Sequence, residues 1–531
     1  MKLIHIQETN LHLLRQFIDH NTSKHFRYFE KRDISCIQNH IYTVILQNNE
    51  NEIMGYAHID YESGIHWVAI CVLEDFQRKG HGKYLLQEII DFAQQNNTEA
   101  LQLSVDVDNS IALHLYLKQG FIIENITSDH YVMKKTFGTM IEVPVSMGEC
   151  VDKLSILEIK KQFIKDKTKR ELVLNEFSYL HHKIKCSLQD MDYYYKLLIQ
   201  INKKIWVMQD VFRDSKDKDQ KQKLCLDIID YNDRRFRIKN KINFSSQSVL
   251  KEVKGYNPKK CFILSHLGMG DHLTAVGMVR YLSTLYDEIT VVCKDKNKKN
   301  VEELYSNDET IRIYPVANDG DISPRYGCPK KKFKDITQDN EVFLVGYHNL
   351  NRRPFDVNKL PFCFYEQMNL PATHMWEFFD VPSLPNAYQL YEHIKGKKFI
   401  FVHNTSSEGE VFSTQQMRDI MNSNHTTTTL DNYILINPNQ NMYDTRHPNY
   451  AVAETLKGHS ILSYKLVIEN ADFVFVSDSS FFCLAFQLFL KGDHHYLIQR
   501  ASTNYANYEH IWSNTYKYKD YGRKPFKQVF P

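Results

Sequence analysis

The sequence predicts an α/β multidomain protein, and three observations predict it. Residues 1–138 and 258–531 alternate short β-branched or aromatic runs with stretches whose apolar residues recur at helical spacing. Between them, residues 151–245 contain no Gly or Pro, are strongly charged and read as almost wholly helical. The chain has 531 residues, room for about three domains of ~100–200 residues each. The expected organisation is an α/β domain over 1–138, a helical hairpin or bundle over 139–250, and a double α/β domain over 251–531 with halves at about 258–390 and 395–531. Joints are expected at 137–139 and 245–258, where turn-forming residues gather. A threonine-rich patch at 426–429 reads as a surface loop.

Composition narrows the function. Hydrophobic residues make up 43% and charged residues 24% of the chain, proportions that support packed cores rather than disorder. The net charge of +2 gives no field that would draw the protein onto nucleic acid or anionic lipid. No run reaches the ~18 apolar residues of a membrane span, and MKLIHIQETNLHLL lacks the basic and apolar regions of a signal peptide. The ten cysteines are scattered with no Cys-x-x-Cys pair, which argues against a zinc ribbon or a thioredoxin-type site and for a reducing compartment. No metal is expected, and the expected location is cytoplasmic: the host cytoplasm, or the virion, for a viral source.

The first region holds a strand, a glycine-bearing loop and a helix in succession. Ile65–Leu73 is a buried-strand candidate, Gln77-Arg78-Lys79-Gly80-His81-Gly82 follows, and Leu85, Leu86, Ile89, Ile90 and Ala93 then share one helix face. Amides at a helix start point outward unsatisfied and favour a diphosphate; Gly80 and Gly82 allow close approach, and Arg78 and Lys79 add charge. Leu101–Val107 reads as the next strand, followed by Asp108-Asn109, a short helix with Ala112 and Tyr116, and Gly120-Phe121, with Gly120 a natural helix stop.

In order and spacing, residues from about 40 to 135 resemble the GNAT N-acetyltransferases, whose motif A is Arg/Gln-x-x-Gly-x-Gly/Ala. The resemblance implies acetyl-CoA as co-substrate. It implies that the backbone of Cys71 and Val72 binds the pantetheine arm, that Gln77, Arg78, Lys79, Gly80, His81 and Gly82 hold the pyrophosphate, and that Asn109 contacts the cofactor near its reactive end. It makes Tyr116 the acid that protonates the departing thiolate, a role open to a phenol with an ordinary pKa of ~10. Candidate bases for the acceptor amine on neighbouring strands are His66, Asp60 and Glu62.

In the second region, Val143–Asp166 resembles an uncharacterised bacterial helical family found beside sugar-transfer enzymes. Met191, Tyr194, Leu198, Ile201, Ile205, Met208 and Phe212 form a seam with spacings of three and four. Such a seam serves a spacer hairpin or self-association into a homo-oligomer through 151–245.

The third region repeats strand, loop and helix. Lys260–Ser265 leads into Gly268-Met269-Gly270-Asp271-His272 and a helix with Ala275, Val276, Val279, Leu282 and Leu285; Phe399–His403 leads into residues 404–407; Asp472–Ser477 leads into Asp478-Ser479-Ser480 and an apolar helix. Two such halves resemble the GT-B fold of heptosyltransferase-like glycosyltransferases, whose Met-Gly-Asp loop is like 269–271. By that resemblance Asp271 is the base on the acceptor hydroxyl, Gly268 and Gly270 shape the loop, and Asp478, Ser479 and Ser480 meet a sugar nucleotide's diphosphate. Cys483 stands where the family carries His, Ser480 where it carries Gly, and no lysine follows His403. Residues 345–348 and 364–367 are further candidates for the cleft wall.

The whole resembles amino-sugar-modifying fusions of bacteria and giant DNA viruses. It implies N-acetylation of a nucleotide-linked amino sugar, at its most specific a UDP-4-amino-4,6-dideoxyhexose, coupled to glycosyl transfer. The alternative is a protein or polyamine acceptor, with the C-terminal region a non-catalytic scaffold.

Overall fold

Strand alternation builds the N-terminal sheet. In the computed structural model, β1 (Lys2–His5), β2 (His40–Gln47), β3 (Ile53–Glu62), β4 (Ile65–Val72), β5 (Ala100–Asp106), β6 (Ile122–Ile126) and β7 (His130–Thr136) form one sheet in the order β1-β2-β3-β4-β5-β7-β6. Neighbours are antiparallel except β4 and β5, which run parallel and meet at Trp67 and Gln102. Successive side chains of a strand face opposite sides. Tyr56 of β3 therefore packs with Leu14 and Phe17 of helix α1 (Leu11–His20), while Ala57 and Ile59 pack with Leu85, Leu86 and Ile89 of α2 (His81–Gln95). The helix face expected from the sequence is the buried one, Ala93 included. Helix α3 (Ser110–Lys118) is capped by Asn109, whose Oδ1 accepts from the Ala112 amide at 3.2 Å. It is followed by Gly120 at φ +83°, a conformation that favours glycine.

The structure describes all residues except 138–142, 256, 339, 350–355, 357–358, 407–408, 425–428, 500–507 and 530–531, and only the backbone of 410 and 424. The expected joint at 138–139, Ser407, and 426–428 of the threonine patch lie outside the described residues.

Four helices follow: α4 (Met147–Phe163), α5 (Lys167–Leu188), α6 (Asp192–Asp214) and α7 (Lys218–Ser245). The chain forms two compact units, residues 1–145 with 149–203 and residues 146–148 with 204–531, so the division falls within α6. The helical stretch is thereby shared between the units. In the first, α5 packs on β6, and Asn202 donates to Asp152 Oδ1 at 2.9 Å and Ser155 Oγ at 2.8 Å. In the second, Lys241 of α7 lies 2.8 Å from both oxygens of the buried Asp308. Of the expected seam, Met191, Tyr194, Leu198, Ile201 and Ile205 are buried, while Met208 and Phe212 are half-buried.

The second unit carries two parallel sheets. One joins β8 (Lys260–Leu264), β9 (Glu288–Lys294), β10 (Ile311–Val316) and β11 (Glu341–Leu344) in the order β10-β9-β8-β11. A small antiparallel pair, β13 (Thr405–Ser406) and β14 (Gly409–Glu410), follows β12 (Phe399–His403). The other sheet joins β12 with β15 (Ile434–Ile436), β16 (Phe473–Ser477), β17 (His494–Ile498) and β18 (Lys527–Val529) in the order β15-β12-β16-β17-β18. Strands buried on both faces read as continuous apolar runs, as 261–264 and 473–476 do. Helices α8 (Met269–Thr274) and α9 (Val276–Leu282) follow β8. All ten cysteines are free. Among the described residues no helix is long and apolar enough to cross a membrane.

Candidate functional site

Beyond Trp67 and Gln102, β4 and β5 diverge, and a cavity of about 1070 Å³ opens at the divergence. The β5-facing edge of residues 68–72 is not taken up by a strand, so its outward amides and carbonyls, apart from the Val72 carbonyl, are open to an extended chain bearing amides of its own. The loop from β4 to α2 is pinned to the strand end, because Gln77 Nε2 donates to the Val72 carbonyl at 3.0 Å. Arg78 (φ +60°) and Gly80 (φ +89°) both adopt left-handed backbone, which turns the loop onto α2 and leaves the first amides of that helix facing outward. A Cβ on Gly80 would meet nothing within 4 Å, and one on Gly82 would make ordinary 3.5 Å contact with Leu115. The protein's own packing therefore does not require Gly82; the room it leaves belongs to the cavity wall. A strand edge followed by a 15-residue helix with a bare N-terminal turn suits a pantetheine arm carrying a diphosphate.

Of the residues singled out for this grip, Cys71, Val72, Gln77, Arg78, Gly80, Gly82, Asn109 and Tyr116 line the cavity. Lys79 and His81 are not on its wall. Lys79 instead turns back, donating to the Asp75 carbonyl at 2.9 Å. Asn109 lines the cavity while spending its Oδ1 on the α3 cap. Lys83, one residue past the glycine motif, lies on the wall and carries no sequence signal because it falls outside the motif's spacing. Tyr116 is buried, and burial, reinforced by nearby Cys71, pushes its phenol up to about 12, so it is protonated at neutral pH.

The far end of the cavity is rich in charge. Asp60 and Glu62 line it, but His66 does not. Strand alternation sets His66 on the face opposite Ile65 and Trp67, where its ring lies 4.8 Å from that of Tyr61. That placement counts against His66 as the base. Three of the four carboxylates at this end are matched by cations. Asp106 takes Arg27 at 2.7 Å and His25 at 2.8 Å, Asp108 takes Lys24 at 3.1 Å, and Glu62 lies 3.6 Å from Arg32. Asp60 differs. Its Oδ2 accepts from the Tyr28 hydroxyl at 2.7 Å, and its Oδ1 is buried without a partner. Beside it His58 is fully buried, stacks on His40 at 4.0 Å, and has no partner for either ring nitrogen. Burial holds His58 well below its ordinary pKa and pushes His40 down to about 4. The period-two row His58, Asp60, Glu62 was the available sequence signal for this wall. Tyr28 lies in an irregular segment and offered none.

Residues 7–121 match the acetyltransferase (GNAT) family. The match spans β2 to β5, the glycine loop, α2 and α3, and acetyl-CoA fits as the co-substrate of this GNAT domain. Among solved structures, similarity is found to yncA of Salmonella typhimurium, an acetyltransferase solved with its cofactor acetyl-CoA (15% identity, 27% of this chain and 98% of that one, TM-score 0.23). It extends to a GNAT-family acetyltransferase from Streptococcus pneumoniae (23% identity, 26% and 99%, TM-score 0.23). It also extends to the ribosomal-protein-S18-alanine N-acetyltransferase of Escherichia coli (18% identity, 27% and 98%, TM-score 0.22). No curated protein matches the chain.

Outside the GNAT domain, the second unit has a cavity of about 590 Å³. Gly268, Gly270 and Asp271 reach its wall from one half, and Asp478, Ser479 and Ser480 from the other. A Cβ on Gly270 would sit 3.1 Å from Cys483 Sγ, so the glycine lets α8 pack closely on the helix Ser480–Ala485. A Cβ on Gly268 would meet Asp271 Oδ2 at 2.6 Å. His403 ends β12 on the cavity wall, in the region where the resembled family carries a lysine. Its Nδ1 lies 2.9 Å from Ser479 Oγ and its Nε2 3.1 Å from Asn439 Nδ2, and burial pushes it down to about 4. Tyr508 donates to Asp478 Oδ1 at 2.8 Å. Residues 345–348 and 364–367 do not line this cavity. Tyr365 is buried, donating to the Thr274 carbonyl at 2.9 Å.

Proposed function

We propose that the GNAT domain acetylates the amine of a nucleotide-linked amino sugar, with a UDP-4-amino-4,6-dideoxyhexose as the most specific candidate. In the same reading the second unit is a GT-B-like glycosyltransferase that uses the product. The observation that carries this reading is that two stretches more than 200 residues apart, 268–271 and 478–480, line one cavity in a unit built on two parallel sheets. Ligands of open α/β sheets bind at the carboxyl ends of the strands, where these loops lie. The proposed domain division is 1–138, 139–250 and 251–531, with the boundary between the two compact units falling inside the helical stretch. The same reading proposes a cytoplasmic location and self-association through 151–245, for which exposed Val207, Val211, Leu226 and Ile229 give apolar surface.

Bound acetyl-CoA supplies an activated acyl group. The chain supplies the rest. The edge of residues 68–72 aligns the arm, and the amides from Gln77 to Gly82 hold the diphosphate. Tyr116 keeps a proton for the sulfur. In the second unit Asp271 takes the acceptor hydroxyl's proton, while Ser479 and Ser480 donate to the donor's diphosphate.

A specific observation also favours the alternative acceptor. Asp60, Glu62, Asp106 and Asp108 together line the far end of the first cavity, and because cations match all but Asp60, the group suits a single protein or polyamine amine at Asp60. One experiment separates the readings. The full chain is given acetyl-CoA and a panel of amino-sugar nucleotides, peptides and polyamines, and thiol release is followed. The sugar reading expects turnover with amino-sugar nucleotides; turnover with peptides or polyamines alone would end it.

A further inference from the structure

An unpaired polar group in a protein interior costs roughly 1–3 kcal/mol, and more when charged, so native structures leave few of them without reason. Among the described residues the GNAT domain leaves three on one strand, the Tyr56 hydroxyl, His58 and Asp60, and the last two stand side by side on the cavity wall. His58 is fully buried with neither nitrogen partnered, and Asp60 is nearly so, with Oδ1 bare. Both line the first cavity, and both lie on the same face of β3 at positions i and i+2. The other carboxylates of that wall already have cations; Asp60 has none.

We infer that Asp60 Oδ1 and the imidazole of His58 are the seat of the acceptor's reacting ammonium, with Asp60 the catalytic base and Tyr28 the residue that positions it. This rests on the reading of the domain as an amine acetyltransferase. The Tyr28 hydroxyl spends its proton on Asp60 Oδ2 and so must accept at its oxygen from His40 Nε2–H, 2.8 Å away. His40 Nδ1 is then left to accept from the Thr43 hydroxyl at 2.9 Å. The bracket leaves the second carboxylate oxygen buried at the cavity wall without a protein partner and fixes its position.

The proton count closes. An R–NH3⁺ acceptor gives one proton to Asp60 Oδ1, and the freed lone pair forms the C–N bond to the acetyl carbon as the C–S bond breaks. The sulfur takes the proton of Tyr116, which the second proton lost by the nitrogen replaces. Asp60 then returns its proton to water. The groups that face Asp60 are Tyr28, Arg32 and Cys36 from the segment before β2, His40 on β2, and Tyr56, His58 and Glu62 on its own strand.

The test uses two amine probes, a UDP-4-amino-4,6-dideoxyhexose and spermidine, and for the sugar its 4-hydroxy counterpart. Calorimetry without acetyl-CoA is expected to show wild-type chain binding an amine probe at least about tenfold tighter than D60N does, with the hydroxy sugar indifferent to the substitution. D60N is expected to lower kcat/KM about 100-fold or more, the range of a lost general base. Y28F, which removes one hydrogen bond from the charged carboxylate, is expected to move the acidic limb of the pH–rate profile upward by about one unit while leaving acetyl-CoA affinity unchanged. H58Q, which restores an acceptor, is expected to retain more activity than H58L. Equal affinity and turnover in D60N would overturn the seat, and an unmoved acidic limb in Y28F would remove Tyr28 from it. Absence of both binding and acetylation with either probe in the wild type would instead defeat the amine reading on which the seat stands.

Discussion

The two cavities treat their polar groups in opposite ways. In the GNAT domain the wall carries buried atoms that lack partners, His58 and Asp60 Oδ1, while in the second unit the wall residues satisfy one another, Ser479 with His403, His403 with Asn439, and Asp478 with Tyr508. Among the described residues, none of the orphaned buried atoms belongs to the second cavity's lining. A wall with orphans is energetically incomplete until a ligand arrives. A saturated wall is complete without one and must exchange internal hydrogen bonds for ligand contacts. The first arrangement favours tight, directional capture. The second favours a site where new ligand contacts are largely offset by the hydrogen bonds given up to make them.

Acid should give the largest effect, and in the second unit it acts through four buried histidines, of which His403 alone lines the saturated wall. Burial pushes His272, His348, His403 and His495 of the second unit each down to about 4, against ~6.5 for an unfolded histidine. The unfolded chain then binds more protons than the folded one between those values. Stability is full above pH ~6.5 and is lost as pH falls toward 4, with several groups acting together. Thermal melts across pH 7 to 4 should show the Tm falling steeply. A flat profile would mean that these imidazoles are not buried as described.

Next in size is Asp308→Ala. It strands the buried Lys241 and removes a partner of Arg280, which lies 3.5 Å away, so a loss of about 3–5 kcal/mol is expected in denaturant unfolding. Tyr116→Phe should lower acetyl-transfer turnover about 100-fold with little change in acetyl-CoA affinity; unchanged turnover would remove Tyr116 from the acid role. Smallest is Ser479→Ala, which leaves His403 Nδ1 without its partner and should cost about 1 kcal/mol of stability. If it cost nothing, the second wall would be less saturated than its distances indicate.

What could be read from the sequence differs between the same two regions. The grip was legible because its parts are local: a strand, two glycines and a helix within thirty residues fix a shape by backbone geometry alone. Of the proposed seat only Asp60 was, as one of three candidate bases; Tyr28 and His40 were not, because they come from an irregular segment and another strand, and only the pairing of β2 with β3 sets His40 beside Asp60. His66 was a reasonable base by proximity in sequence, but one step of strand alternation turned it to the wrong face. In the second unit Gly270 was legible as a turn glycine, yet its packing reason lies over two hundred residues away at Cys483. The division of the chain within α6 had no local mark at all, since an uninterrupted helix carries no composition shift.

The single meeting of β4 and β5 at Trp67 and Gln102 has a consequence for supply as well as for chemistry. A sheet interrupted in its middle carries an internal edge, and whatever lies along that edge binds the folded chain and has nothing to bind in the unfolded one. Occupancy then adds RT ln(1 + [L]/Kd) to stability, about 2.7 kcal/mol at a hundredfold excess over Kd. Acetyl-CoA held along that edge would therefore raise the melting temperature of the GNAT domain in step with its concentration.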